Sequence, residues 1–505
     1  MAADTSTAAN TTRSLQRRAV RGGAFVLGAR LVIQVFQWSV TFFVARLLLP
    51  EDYGMMTTGM LFLDLADLLA EAGVGRALVQ KKDLTAADLA QGFTLSLLLS
   101  TGLYAVLFVG AGPAAAHLGR PDFAVFLRIL SLLLFLVPYR AVTIALLERD
   151  LLMGKRSAVQ LAGAAVQTVL VLGLALAGAG YWALAGGALA ARLIEAAVLA
   201  ATSGWRPRLA RPRRAAAALV RFGMHVSFAS VLSFAFNNAD FAVLGWLLGP
   251  AVLGYYSVAF QLISLPVQKI TSTANQVMYP VYCRLQDDRP RLRDWYLRLT
   301  AVQSFIALPA LAGLALVAAD AVPFLLGDRW RPAVLPLQLL CPVGALMVVG
   351  AGLPPLFNAL GRPDINLRYA AIGAATFPAG FFGAAWAAGS DGDAGLMGVC
   401  LVWLTLYPLL IGGFLHFTRH LTGVTFGAVL RSHVPVLAGT GCMTLCVLAV
   451  GQALAAAPTA VRLAAVVATG MASYALWMLL TARATILSDL VVAWRDLRGR
   501  QAPVD

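Results

Sequence analysis

Arg30, Gln34, Gln37 and Thr41 follow one another at helical spacing inside an otherwise apolar stretch, so that one helix face carries all of them. Ser230, Ser233, Asn237 and Asp240 form a second stripe; Thr57, Asp64, Asp67 and Glu71 form a third, and Ser257, Gln261, Ser264, Gln268, Ser272 and Asn275 a fourth. Polar groups placed this way in lipid must turn toward protein or water, which makes each stripe a candidate binding surface. Among the cations, Arg30, Arg140 and Arg192 offer planar forks for paired anionic oxygens and Lys269 a compact charge. The amides of Gln34, Gln37, Asn237, Gln261 and Gln268 both donate and accept hydrogen bonds. Asp64, Asp67, Glu71 and Asp240 suit ion coupling, because a carboxylate whose burial changes between two conformations takes up H+ or Na+ in one and releases it in the other. Such coupling aside, no cofactor or metal is expected. Local roles compete: Arg30 can neutralise Asp64 or Asp67, Asp240 can pack with Asn237 and Asn238, and Glu71 can brace the turn in AEAGVG.

The elements that must carry these residues are membrane helices. Of 505 residues 60% are hydrophobic and only 12% charged, and the mean hydropathy is +0.78. Apolar stretches long enough to cross a hydrocarbon core recur throughout, and their number is about fourteen. They begin near residues 22, 53, 87, 123, 157, 181, 221, 252, 297, 333, 366, 395, 432 and 461. Basic residues gather in alternate connections, including Lys81 and Lys82, Lys155 and Arg156, Arg206 to Arg214, and Arg284 to Arg293. That alternation predicts an even number of spans with both termini cytoplasmic. The net charge of +15 is thereby explained without nucleic acid. The N-terminal residues have no apolar core followed by a cleavage site, so they read as a cytosolic tail rather than a removable signal.

A repeat organises the spans. LLLPEDYG at 47–54 is echoed by LLGPAVLG at 247–254, an offset of 200 that also relates Arg30 to Ser230, Gln37 to Asn237, Thr57 to Ser257 and Asp64 to Ser264. Six spans separate the copies, so both cross the membrane in the same sense, as repeats related by an axis along the membrane normal do. The expected fold is all-α and polytopic. A basic tail (1–21) precedes an N-lobe of six spans (22–204), a basic linker (205–220) and a C-lobe of six spans (221–420); two further spans (421–482) and an amphipathic tail (483–505) complete it. Two facing lobes would bring the polar stripes to one central cavity.

Several function classes find no support. Cys283, Cys341, Cys400, Cys442 and Cys446 are few and scattered, and Cys442 and Cys446, four apart on one helix face, have no His or carboxylate nearby to complete a metal site. No GxxxxGK[ST] stretch is present to cradle a nucleotide. The outward connections are short and hold no compelling catalytic cluster, which argues against a glycan polymerase or glycosyltransferase.

ARLLLPEDYGMM, AEAGVGRALVQKKDLT, FNNADFAVLGWLLGPAVLGYYSVAFQLISLPVQKI, PVYCRLQDDRPRLR and FLLGDRWRPAVLPLQLL with FNALGRPD resemble bacterial polysaccharide exporters of the oligosaccharide flippase family. The resemblance spans roughly residues 20 to 420. It implies a V-shaped, fourteen-helix fold shared with multidrug and toxin extrusion carriers and the lipid II flippase. It also implies movement of an undecaprenyl-diphosphate-linked oligosaccharide across a bacterial cell membrane with no covalent change. On that reading the cations meet the diphosphate or acidic sugars, and the amides meet sugar hydroxyls. Membrane lipids, and a polysaccharide polymerase or chain-length partner, are the implied neighbours. Trp246 stands where the resemblance leads one to expect a basic residue. A drug antiporter of the same fold is the alternative, although its cationic substrates would favour a more acidic cavity.

Overall fold

The computed structural model describes residues 38–481, except 72, 151, 212 and 213 and the side chains of 153, 214–227 and 277. Arg30, Gln34 and Gln37, with both expected tails, lie outside these residues. Everything regular among the described residues is helical.

Short α1 (Trp38–Leu47) leads to α2 (Pro50–Glu71), α3 (Val74–Gln80), α4 (Ala86–His117), α5 (Asp122–Ser131), α6 (Val137–Arg149), α7 (Met153–Leu176) and α8 (Tyr181–Thr202). These make an N-terminal half. The second half runs through α9 (Arg214–Val243), α10 (Gly249–Arg284), α11 (Arg289–Leu326), α12 (Val334–Gly350), α13 (Leu353–Ala359), α14 (Pro363–Ala388) and α15 (Gly392–Thr422), followed by α16 (Phe426–Ala453) and α17 (Thr459–Thr481). The chain is thus an all-α, multi-pass membrane protein. By length and composition, 11 stretches among the described residues can cross a membrane. The sequence reading gives a larger number for three reasons. Phe228–Arg284 counts as one stretch although Gly249, at φ 86°, breaks it into α9 and α10. The five carboxylates of α2 depress its apolarity, and α1 begins at the edge of the described residues. Helix α9 also starts inside the stretch expected as linker, because its RAAAALV opening is rich in strong helix formers.

Local chemistry fixes the ends. Thr85 and Asp88 form a capping box at the start of α4, and Lys81 closes on Asp88 at 2.6 Å. Asp391 caps α15 by accepting from the amides of Asp393 and Ala394 at 3.0 Å. In the second half a large aromatic core gathers Tyr256, Trp330, Phe377, Phe381 and Trp403; the first half has a smaller one around Phe123, Phe126 and Leu134. Helices α16 and α17 rest on α11, where Tyr474 donates to the Phe305 carbonyl at 2.8 Å and Arg462 pairs with Asp320.

The repeated motifs meet each other. A Cβ added to Gly54 would lie 1.7 Å from the carbonyl oxygen of Pro250, and one added to Gly254 would lie 1.8 Å from that of Pro50. The contact is therefore reciprocal: each glycine faces the other repeat's proline carbonyl, the pattern that two-fold related surfaces make. With no side chain at either glycine, α2 and α10 approach backbone to backbone near their N-termini, an end called here the proline end. The opposite end carries Lys81, Lys82, Arg149, Arg206, Arg208 and Arg284 and is called the basic end.

Gly54→Ala or Gly254→Ala should lower the melting temperature of the purified protein, since forcing atoms into such a contact costs about 1–3 kcal/mol or more. The two changes should combine non-additively because they strain one contact. Gly110→Ala, where an added Cβ meets nothing within 4 Å, should leave melting unchanged.

Candidate functional site

Beyond the glycine crossing, α2 and α10 leave space between the halves. Ser257, Gln261, Ser264 and Gln268 descend one face of α10 and line a cavity of about 550 Å³, joined by Tyr53 and Thr57 from α2, Asn237 and Asn238 from α9, and Trp403 from α15. Across α10 a second space of about 310 Å³ is bounded by Trp38 and Thr41 of α1 and by Gln167 and Thr168 of α7. Tyr53 and Gln261 belong to both walls, so the two spaces adjoin across α10. Amides, hydroxyls and aromatic rings dominate the lining of the larger space, and aliphatic side chains that of the smaller. Such a mixture suits a polar ligand with apolar faces.

The structure brings together some of the expected residues and separates others. Asn237, Gln261 and Gln268 share the larger cavity. Lys269 is exposed one residue beyond Gln268, toward the basic end, and makes no ion pair among the described residues. Arg140 and Arg192 stand elsewhere: neither lines either space. Arg192 reaches Asp67 at 3.4 Å and Arg140 reaches Glu195 at 3.6 Å, with all four side chains at most a quarter exposed. Asp64 lies in the field of Arg192, and Glu71 in those of Arg76 and Arg140. The first half therefore holds an internal charge network on α2, α6 and α8 in which each cation faces carboxylates. Glu195 is the member that sequence reasoning missed. Its position three residues after Arg192 on the same helix was the available signal. Gly163 makes room for it, since a Cβ there would lie 2.8 Å from the Glu195 Cγ.

Asp240 sits one layer behind the larger cavity and is 0% exposed. Its carboxylate accepts hydrogen bonds from the Tyr256 hydroxyl, from the Trp403 indole at 2.9 Å and from the Phe241 amide at 2.9 Å. A buried carboxylate is tolerated when donors surround it in this way. Trp403, which forms the cavity wall, closes Asp240 off from the cavity. Neither Tyr256 nor Trp403 figured in the sequence reading of this carboxylate.

The hydrogen bonds joining the halves cluster at the proline end. Arg46 of α1 donates to the carbonyls of Phe324 and Leu325, the last turn of α11, where the helix dipole welcomes a cation. Residue 246, at the same repeat position, is a tryptophan. Its ring stacks on His117, the last residue of α4, with centroids 3.9 Å apart, and its carbonyl is 3.0 Å from the His117 Nε2. Each half thus reaches across to the end of a long helix in the other, once by charge and once by stacking. Trp330, fully buried, adds a bond from its indole to the Ala45 carbonyl at 2.9 Å and an edge-on contact with Tyr53.

With this geometry in place, comparison with known proteins is informative. The profile of a family described as "Polysaccharide biosynthesis protein" matches residues 43–335, more than half of the chain. The chain belongs to this family. Among similar family relatives, the lipopolysaccharide biosynthesis protein WzxC of Escherichia coli (strain K12) is 27% identical over 70% of this chain and 73% of its own. The succinoglycan biosynthesis transport protein ExoT of Rhizobium meliloti (strain 1021) is 27% identical over 65% of this chain and 67% of its own. In fold, the chain is similar to the lipid II flippase MurJ in an inward closed conformation, with a TM-score of 0.67 at 10% identity over 90% of this chain and 98% of that one. It is also similar to an inward-facing multidrug resistance MATE family transporter, with a TM-score of 0.61 at 16% identity over 77% of this chain and 94% of that one. These two likenesses establish the family's fold here.

The cross-half contacts predict how the proline end opens. In a variant lacking the five native cysteines and carrying Ala45→Cys, a buried position under Trp330, labelling by a membrane-impermeant maleimide should be slow. Adding Arg46→Ala or Trp246→Ala should raise the rate about tenfold or more, because charge-assisted hydrogen bonds and aromatic stacks each contribute on the order of 1–3 kcal/mol. Equal rates in all three proteins would deny these contacts a role in closure.

Proposed function

We propose that this protein moves a lipid-linked oligosaccharide, built on undecaprenyl diphosphate or a related carrier, from the cytoplasmic to the outer face of a bacterial cell membrane. The observation that carries the reading is the amide-, hydroxyl- and aromatic-lined space between two helical halves whose contacts are concentrated at one end. The family's other members support it: one relative bears the name of a biosynthetic transport protein, another that of a lipopolysaccharide biosynthesis protein.

The physical task is set by the substrate. Its lipid tail can remain in the bilayer, but an unhydrated diphosphate and its sugars would pay a large desolvation cost in hydrocarbon. A wet chamber with hydrogen-bonding walls removes that cost without any bond being made or broken, so no catalytic residue is needed. We take the basic end as cytoplasmic from the distribution of Lys and Arg, with both termini on that side. The head then enters past Lys269, which has no competing carboxylate partner among the described residues, and settles against Gln268, Gln261 and Asn237. Breaking the Arg46 and Trp246 contacts opens the proline end and releases the head outward. The halves correspond to residues 22–204 and 221–420, moving against each other as transporter repeats do. Arg30, Gln34 and Gln37 would extend the chamber wall from the first span.

Direction requires an energy source. In this reading the network of Asp64, Asp67 and Glu71 with Arg140 and Arg192 is the site where H+ or Na+ coupling acts, since exchanging partners there changes the balance of charge inside the first half. Asp240, fully satisfied behind Trp403, holds the second half together and couples only if Trp403 moves. A polymerase or chain-length partner would receive the exported glycan.

A deletion strain should accumulate the lipid-linked glycan on the cytoplasmic leaflet, and the wild-type chain should clear it. Lys269→Ala should cut export about tenfold while protein remains in the membrane at normal levels, as loss of an exposed charge-assisted phosphate contact would. Arg192→Ala should instead reduce the amount of folded protein, because an uncompensated Asp67 costs about 3–5 kcal/mol. Unaltered surface glycan in the deletion strain together with altered drug susceptibility would move the assignment to a drug antiporter.

A further inference from the structure

The chamber wall is not uniform in charge. Asn237 donates its side-chain amide to the Ser233 carbonyl at 2.6 Å, and Asn238 does the same to Phe234 at 2.9 Å. A primary amide carries two N–H groups, so each asparagine keeps one N–H as well as its carbonyl oxygen for a ligand. Ser257 spends its only hydroxyl hydrogen on the Gly254 carbonyl at 3.0 Å, so its remaining capacity is to accept. Behind them the indole hydrogen of Trp403 and the hydroxyl hydrogen of Tyr256 are turned away from the chamber onto Asp240. What the wall offers at this place is neutral amides and hydroxyls, those of Tyr53 and Thr57 included, and the rings of Phe241 and Phe260, with no cation in its lining and the Asp240 carboxylate behind it.

Among the described residues Gln261, Ser264 and Gln268 have no side-chain hydrogen-bond partner, and they keep both donor and acceptor capacity. From Ser257 to Gln268 the same face of α10 runs about 16 Å at the helical rise, ending beside Lys269. The wall therefore changes from neutral near Asn237, with the Asp240 carboxylate behind it, to cationic near Lys269.

We infer that the Asn237–Asn238–Ser257 wall is a subsite for an uncharged sugar, with the headgroup lying along α10 so that its diphosphate stays at Lys269 and Gln268. This rests on the flippase reading and narrows it. Hydroxyl and acetamido groups meet neutral donors and acceptors there, and the apolar faces of a sugar ring meet Phe241 and Phe260. A diphosphate or a uronic acid would find no cation in this lining and a carboxylate behind it, and only neutral groups in place of its hydration. The protein thus selects against acidic sugars at the inner position while accepting the anionic diphosphate at the outer one.

Thermal stabilisation of the purified full-length protein by three probes tests this: undecaprenyl diphosphate, the same carrier bearing N-acetylglucosamine, and the carrier bearing glucuronic acid. The wild-type protein should bind the neutral conjugate about tenfold more tightly than the acidic one. Asn237→Lys, at an exposed position in the chamber, should reverse that preference; near-isosteric Asn237→Asp should widen it. Equal binding of the two conjugates by the wild type, or an unchanged ratio in both variants, would overturn the subsite while leaving the flippase reading intact. If none of the three, including the bare diphosphate, stabilised the protein, the lipid-linked head itself would be the wrong ligand and the subsite would fall with it.

Discussion

Two carbonyl oxygens, those of Pro50 and Pro250, occupy positions where any side chain larger than hydrogen at Gly254 and Gly54 would collide with them. Backbone contact of this kind sets the separation of α2 and α10, and the rest of the interior is built around that separation. It lets Tyr53 pack against Trp330 and brings Arg46 within reach of the end of α11. Farther along the same two helices it leaves a polar face of α10 turned toward open space rather than toward a packed neighbour. A closer approach is barred by the backbone itself, and a wider one would unpair the residues at the proline end.

Charge is distributed by the same logic of what can be satisfied where. The first half keeps Arg140 and Arg192 beside carboxylates, and the second half encloses the fully buried Asp240 carboxylate in hydroxyl and indole donors. Both arrangements satisfy their charges within one half. That leaves the space between the halves to neutral hydrogen-bonding groups and aromatic rings, which can exchange partners with a ligand at little cost.

Much of this was legible in the sequence. The stripe on α10 followed from its spacing, and the reciprocal contact of the two glycines lies at the 200-residue echo. Partner choice was harder to read. Periodicity assigns a residue to a helix face but does not say which helix that face meets, so Arg192 and Asp67, 125 residues apart, could be listed as candidates without being recognised as a pair. Trp403 lies 163 residues from Asp240 and reads as an ordinary aromatic residue in an apolar span. Arg46 and Trp246 have no chemistry in common, and only the repeat offset hints that they perform corresponding tasks. The side chains of the first span before Trp38 fall outside the described residues, so Arg30 stands as it did in the sequence.

The unlike pair at positions 46 and 246 has a consequence for how the two sides of the seal respond to their surroundings. A guanidinium resting on helix carbonyls is an electrostatic contact and weakens as dissolved ions screen it, whereas an indole lying on an imidazole depends mainly on excluding water and on dispersion. One edge of the barrier is thus tuned to ionic strength and the other is nearly indifferent to it. Chains assembled from two similar halves need not part symmetrically: in concentrated salt the Arg46 side would loosen first, and the axis about which the halves separate would tilt accordingly.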